Sequence, residues 1–169
     1  MVRAVLLAVA VLLVGCVGPR GVYVEADAPD ELVDAVVGAV DQWNAAAGFP
    51  MLQARTVAHA RAAYLLPGSI VVVQTDDPLG DGETHAYTLA GGVVTRMQLR
   101  KSRVLDAAFP LRWLVAHELG HALGLDHVDD DACNVMDEWW EACDEAPELE
   151  LDAQQLRRVR GLGAAGMLL

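Results

Sequence analysis

The chain has 169 residues, 54% hydrophobic and 21% charged, with 24 acidic side chains against 12 basic ones for a formal charge of −12. That balance argues against nucleic acid as a partner, because binding to phosphates rests on an excess of lysine and arginine. The length suits one domain, and no internal repeat or low-complexity linker divides it.

In chain order, Met1 to Gly15 reads as a secretory signal: one basic residue, Arg3, then an unbroken apolar stretch from Ala4 to Val14 that is too short to span a bilayer stably. Leu13-Val14-Gly15-Cys16 resembles the lipobox of bacterial lipoproteins. That resemblance implies cleavage before Cys16 and attachment of lipid to it. Residues 16–20 then form a short tether, and residues 21–169 form a single domain held to a membrane on the periplasmic or extracellular side. An ordinary signal peptide cut slightly later is the alternative.

Val22-Tyr23-Val24 predicts a first strand. Pro29 at a first helical position, with Asp30 and Glu31 behind it, opens an amphipathic helix. Its apolar residues Leu32, Val33, Val36, Val37, Val40, Trp43 and Ala47 recur at three- and four-residue spacing, and Gly48 and Pro50 stop it. Residues 51–57, 69–75, 84–89 and 93–99 read as strands, broken at Pro67-Gly68, at 76–82 and at Gly91-Gly92. Ile70-Val71-Val72-Val73 is apolar throughout, which predicts a central strand covered on both faces. Residues 109–123 read as a second long helix with Leu111, Leu114, Val115, Leu119 and Leu123 as its buried stripe, and 151–162 as a last helix.

The second helix carries the run His117-Glu118-Leu119-Gly120-His121-Ala122-Leu123-Gly124-Leu125-Asp126-His127. Residues four apart stand on one helix face, so His117 and His121 can offer imidazole nitrogens to one metal ion. Glu118 lies about a quarter-turn round, beside the metal, in a general base's position. Gly124 can take positive φ, ending the helix and turning His127 back toward the same ion. Three histidine ligands leave a fourth position open, which separates a catalytic zinc site from a closed structural one. Asn134-Val135-Met136 follows, with Met136 nine residues after His127.

These residues together resemble the metzincin zinc endopeptidases. Leu114-Val115-Ala116, Gly124-Leu125-Asp126-His127 and the short interval to Met136 look most like the matrixin branch. The resemblance implies an α+β, zincin-like fold: a twisted mixed β-sheet, a long helix, a zinc-binding active-site helix, a Met-turn and a C-terminal helix. It implies one catalytic zinc held by His117, His121 and His127, Glu118 as catalytic base, Met136 beneath the metal, and a peptide or protein substrate paired to an edge strand. Residues 93–99 are the expected edge. Arg96, Arg100, Lys101 and Arg103 there suit either substrate binding or an edge guarded against aggregation.

Two positions depart from the pattern. Val128 stands where a matrixin usually has serine, and Glu138 stands where the astacin-like and serralysin-like branches have a tyrosine, so no proton donor is expected from that position. Matrixins also carry a structural zinc and calcium. His85 is the candidate for the former, against a histidine simply exposed on a strand, and Asp76, Asp77 and Asp81 for the latter, against a solvated acidic turn. Cys133 and Cys143 are expected to pair in an exported chain, with free or zinc-binding thiols as alternatives. No lysine or arginine falls between Arg112 and Arg157. The resemblance implies that the residues after the methionine wall the pocket for the side chain following the cut bond, so Asp137 and Glu138 either favour a basic side chain there or belong to a solvated acidic surface. The expected activity is zinc endopeptidase, by a monomer. A zinc hydrolase of a non-peptide amide and a non-catalytic binding lipoprotein that keeps the fold are the alternatives.

Overall fold

The computed structural model describes residues 18–64, 66, 68–76, 82–89, 92–106, 110–128, 133–137, 149, 151–152 and 154–159. The signal segment, Cys16, Asp77, Asp81, Glu138 and Cys143 lie outside the described residues.

The elements run β1 (Arg20–Glu25), α1 (Asp30–Ala47), β2 (Leu52–Val57), α2 (Ala60–Ala63), β3 (Ile70–Thr75), β4 (Gly82–Leu89), β5 (Gly92–Arg100), α3 (Lys101–Val104) and α4 (Leu111–Ala122). The five strands form one mixed sheet in the order β2-β1-β3-β5-β4. The first four in that order are parallel, and β4 is antiparallel to β5. Residues 154–159 are helical, inside the predicted 151–162. Asp152 accepts from the amides of Gln154 and Gln155, and Gln155 Oε1 accepts from the Asp152 amide at 3.0 Å, a capping box that starts this helix.

β3 is the middle strand, as its apolar run predicts. Ile70 and Val72 face the main core with Trp43, Leu119 and Met136, while Val71 packs on the other face with Tyr23 and Ala63. The short helix α2, which the sequence pattern does not announce, supplies that second cover.

The edge assignment is corrected. Residues 93–99 belong to β5, which is paired on one side to β3 and on the other to β4, so β4 is the edge on that side of the sheet. The cause is the hairpin: β4 and β5 are consecutive and antiparallel, and the later strand is the one that slots in parallel beside β3. Thr95, Met97 and Leu99 alternate as buried residues along it, the pattern of an inner strand with one face on the core. Lys101 and Arg103 lie in α3 rather than on a strand.

Pro29 caps α1 and Asp30 begins it; the acidic first turn suits the positive end of the helix dipole. Gly48 ends it at φ 76. The buried stripe is Leu32, Ala35, Val36, Ala39, Val40, Trp43 and Ala47, while Val37 is 44% exposed. At about 100° per residue Val37 falls well outside the arc centred on Leu32, Val36 and Trp43, and the two alanines fill the other flank.

Arg20 ties the start of the sheet to α4. Its amide donates to the Met51 carbonyl at 2.9 Å, Nε to the Gly68 carbonyl at 2.7 Å, and Nη1 to the Ala122 carbonyl at 3.1 Å. A guanidinium at the last carbonyls of a helix satisfies acceptors that have no partner within the helix and meets the negative end of its dipole.

The register of α1 yields a paired expectation. Leu32→Ala should cost about 2–5 kcal/mol, whereas Val37→Lys should stay within about 0.5 kcal/mol of the parent. Urea unfolding of the two variants checks it, and a large loss in Val37→Lys would show the stripe to be misplaced.

Candidate metal centre

α4 is buried nearly all round: Leu111, Leu114 through Gly120, and Ala122 are buried. The apolar stripe packs toward α1 and the sheet, and the polar pair His117 and Glu118, 6% and 5% exposed, is held inside as well. The helix stops at Leu123, and Gly124 takes φ 76. The Leu125 amide donates to the Gly120 carbonyl at 3.0 Å and the Gly124 amide to the His121 carbonyl at 2.9 Å. These two bonds form a Schellman turn, which needs a residue free to adopt the left-handed conformation at Gly124. The turn reverses the chain and delivers His127 to the helix face that bears His117 and His121.

The three Nε2 atoms lie 3.1, 3.1 and 3.2 Å apart. Their other nitrogens are assigned by the backbone. His117 Nδ1 stands 2.7 Å from the Val135 carbonyl, and His121 Nδ1 stands 2.9 Å from the Leu125 carbonyl. A carbonyl can only accept, so both Nδ1 atoms carry the proton and both Nε2 atoms present lone pairs. Two lone pairs facing each other at this distance repel, and a cation between them removes the repulsion. Tetrahedral zinc with Zn–N bonds of about 2.0–2.1 Å needs nitrogens roughly 3.3 Å apart, close to the observed triangle. The donor set therefore fits zinc.

The methionine segment is built around the same carbonyl. Asn134 Oδ1 accepts from the Met136 amide at 2.9 Å, and the Asp137 amide donates to the Asn134 carbonyl at 2.9 Å. That closes a tight turn over 134–137, with the Val135 carbonyl at its tip bonded to His117. The Val128 amide donates to the Met136 carbonyl at 2.9 Å, tying the turn to the strand-like residue after His127. Met136 is 1% exposed and lies directly against Gly120. A Cβ on Gly120 would collide with Met136 Sδ and reach 3.0 Å from Trp43 Cζ2. Glycine in mid-helix costs about 1 kcal/mol relative to alanine; here its missing side chain is the space the methionine occupies.

Burial pushes the His117 pKa down from 6.5 to about 4; the hydrogen bond to Val135 and the Asp137 carboxylate oppose the shift, and His121 and His127 reinforce it. His117 is thus neutral at pH 7, the state a metal ligand requires. Exposure rises from buried His117 through half-buried His121 to exposed His127, so the cluster opens to solvent on the side of His127.

The structure brings together His117, His121, His127 and Met136, with Glu118 buried on the same turn of helix. His85 is on β4, where the antiparallel register sets it opposite Arg96. Among the described residues the triad is the one group of three His, Cys, Asp or Glu ligand atoms that gathers. Sequence reasoning missed the carbonyls of Val135 and Leu125, which no side-chain motif can reveal, and the contact of Trp43 with α4.

The matrixin family model matches residues 18–162. The chain belongs to the matrixin family. The metzincin fold follows from that membership, and the mixed sheet with its histidine-bearing helix agrees with it. Matrixins are zinc metalloproteases, and the family match extends that description to this chain at the level of the family. No curated protein matches the chain.

The depressed pKa of His117 sets a pH dependence for the metal-free matrixin domain. The unfolded chain takes up this proton near pH 6.5, whereas the folded chain does not until about pH 4. Stability should therefore fall as pH drops from about 6.5 to about 4, and His117 should contribute no pH dependence above that window. Urea midpoints of the metal-free protein at pH 7.5, 5.5 and 4.5 check this, and the decline should be shallower in His117→Asn. Equal declines in the two proteins would reject the assignment.

Proposed function

We propose that this matrixin is an exported zinc endopeptidase in which His117, His121 and His127 hold the metal and Glu118 is the catalytic base. The observation that carries the reading is the triangle of Nε2 atoms, two of them aimed by backbone carbonyls from a helix that also buries a carboxylate. Zinc bound there would polarise the scissile carbonyl and lower the pKa of water to about 7.

The protein's own groups supply the rest. Glu118 takes a proton from the attacking water and passes it to the departing amine, so that the nitrogen leaves as a neutral amine rather than an amide anion. The carbonyls of Val135 and Leu125 hold the imidazoles of His117 and His121 in one tautomer and one orientation throughout. An extended peptide has an edge to pair with at β4, which lies against α4. Asp137, half-buried beside the methionine turn, favours a basic side chain just after the cut bond.

The reading extends to lipidation at Cys16 with envelope anchoring, and to a Cys133–Cys143 disulfide. The last is supported by the bonded state of the Cys133 sulfur.

Glu118→Gln should keep zinc and lose peptide hydrolysis by a factor of at least about 100, scored on a peptide library with and without chelator. Retained hydrolysis in that variant would reject the assignment of the base, and a library profile showing only aliphatic or aromatic preference after the cut bond would reject the role of Asp137. Intact mass of the protein recovered from its host, before and after reduction and alkylation, should show acyl chains on Cys16 and one reducible bond joining Cys133 to Cys143. A mature protein beginning at another residue without lipid would overturn the anchor.

A further inference from the structure

We infer that Trp43 is a positioning residue for the metal centre, holding the single turn of α4 that carries His117 and Glu118; the inference rests on the reading of the histidine triad as zinc ligands. Trp43 lies on α1, far from the histidine run in sequence, and it is wholly buried. Its indole meets α4 at two places one turn apart. At the first, Nε1 donates to the carbonyl of Ala116 at 2.9 Å. Within an α-helix that oxygen already faces the amide four residues on, that of Gly120, and the indole takes its second lone pair. At the second, the edge of the same ring faces Gly120, where an added Cβ would come within 3.0 Å of Trp43 Cζ2.

Between Ala116 and Gly120 stand His117, Glu118 and Leu119. One rigid side chain thus spans the stretch of helix from which both a proposed ligand and the proposed base project. Apolar packing alone is non-directional and would leave α4 several settings against α1. A buried N–H donor with one acceptor is directional, and it selects one of them. Met136 meets Gly120 as well, so the indole, the glycine and the methionine stack in series, and the methionine segment in turn presents the Val135 carbonyl to His117. A shift of α4 against Trp43 would therefore move His117 relative to the carbonyl that orients it.

Trp43→Phe removes the donor and keeps most of the buried ring. Full-length protein carrying it should retain its circular dichroism and cooperative unfolding, bind zinc about tenfold more weakly, and show shifted ligand-field bands when loaded with cobalt(II). Val36→Ala, another buried position of α1, is the comparison for a purely structural loss and should lower stability while leaving zinc affinity and the cobalt spectrum at parent values. Equal zinc affinity and equal cobalt spectra in Trp43→Phe and Val36→Ala would overturn the inference. Should Trp43→Phe not fold, Trp43→Tyr, closer in volume, serves the same comparison. Peptide hydrolysis is scored separately on the parent: absence of cutting by zinc-loaded parent counts against the peptidase reading alone, and unchanged zinc binding in the Trp43 variant counts against Trp43 alone.

Discussion

Two backbone carbonyls govern what the histidines can do. Imidazole has two nitrogens of opposite hydrogen-bonding character, and which one is left with a lone pair depends on the partner of the other. By accepting from Nδ1 of His117 and His121, the carbonyls of Val135 and Leu125 turn both Nε2 lone pairs toward a common point. Each carbonyl is available because of a local turn: Val135 sits at the tip of the turn built by Asn134, and Leu125 is the residue that completes the Schellman motif at Gly124. The methionine segment, the helix stop and the buried neutrality of His117 are all conditions for that arrangement.

Much of this was legible in the sequence because the chemistry is written in residue types at fixed intervals. The four-residue interval between His117 and His121 follows from helix geometry, Gly124 announces the turn, and the apolar run at Ile70 announces a strand covered on both faces. Its interval after His127 singles out Met136, and the side chain packs against Gly120. Main-chain acceptors carry no such signature: any residue at 125 or 135 has a carbonyl, and only the folded path decides where it points. For the same reason the link from Trp43 to Ala116 was invisible, since a tryptophan on a buried stripe looks alike whether its N–H is used or not.

The misplacements have a common cause. Strand existence is encoded locally, but strand order is decided by how segments pair, and a hairpin can insert either of its strands beside the rest of the sheet. The family resemblance points to residues 93–99 as the edge, and their basic residues agree with that, yet β4 occupies it. Val37 was included in the helix stripe because spacing alone does not set the width of the buried arc, whereas Ala35 and Ala39, too small to attract notice, complete it. The second face of the sheet is covered by the four-residue helix α2, below the length at which periodicity can be read.

Arg20 gives the molecule a mechanical character. A pull applied at the start of β1 meets this residue, where one side chain bonds to Gly68 and to the end of α4 and the backbone bonds to Met51. Behind it, β1 runs parallel between β2 and β3, so a load along the strand is shared across many bonds in shear instead of peeling them one at a time. The carbonyl gripped by the guanidinium belongs to Ala122, the residue after His121. Tension at the start of β1 is therefore resisted by the sheet as a block, and the side-chain anchor there reaches to within one residue of a histidine of the triad.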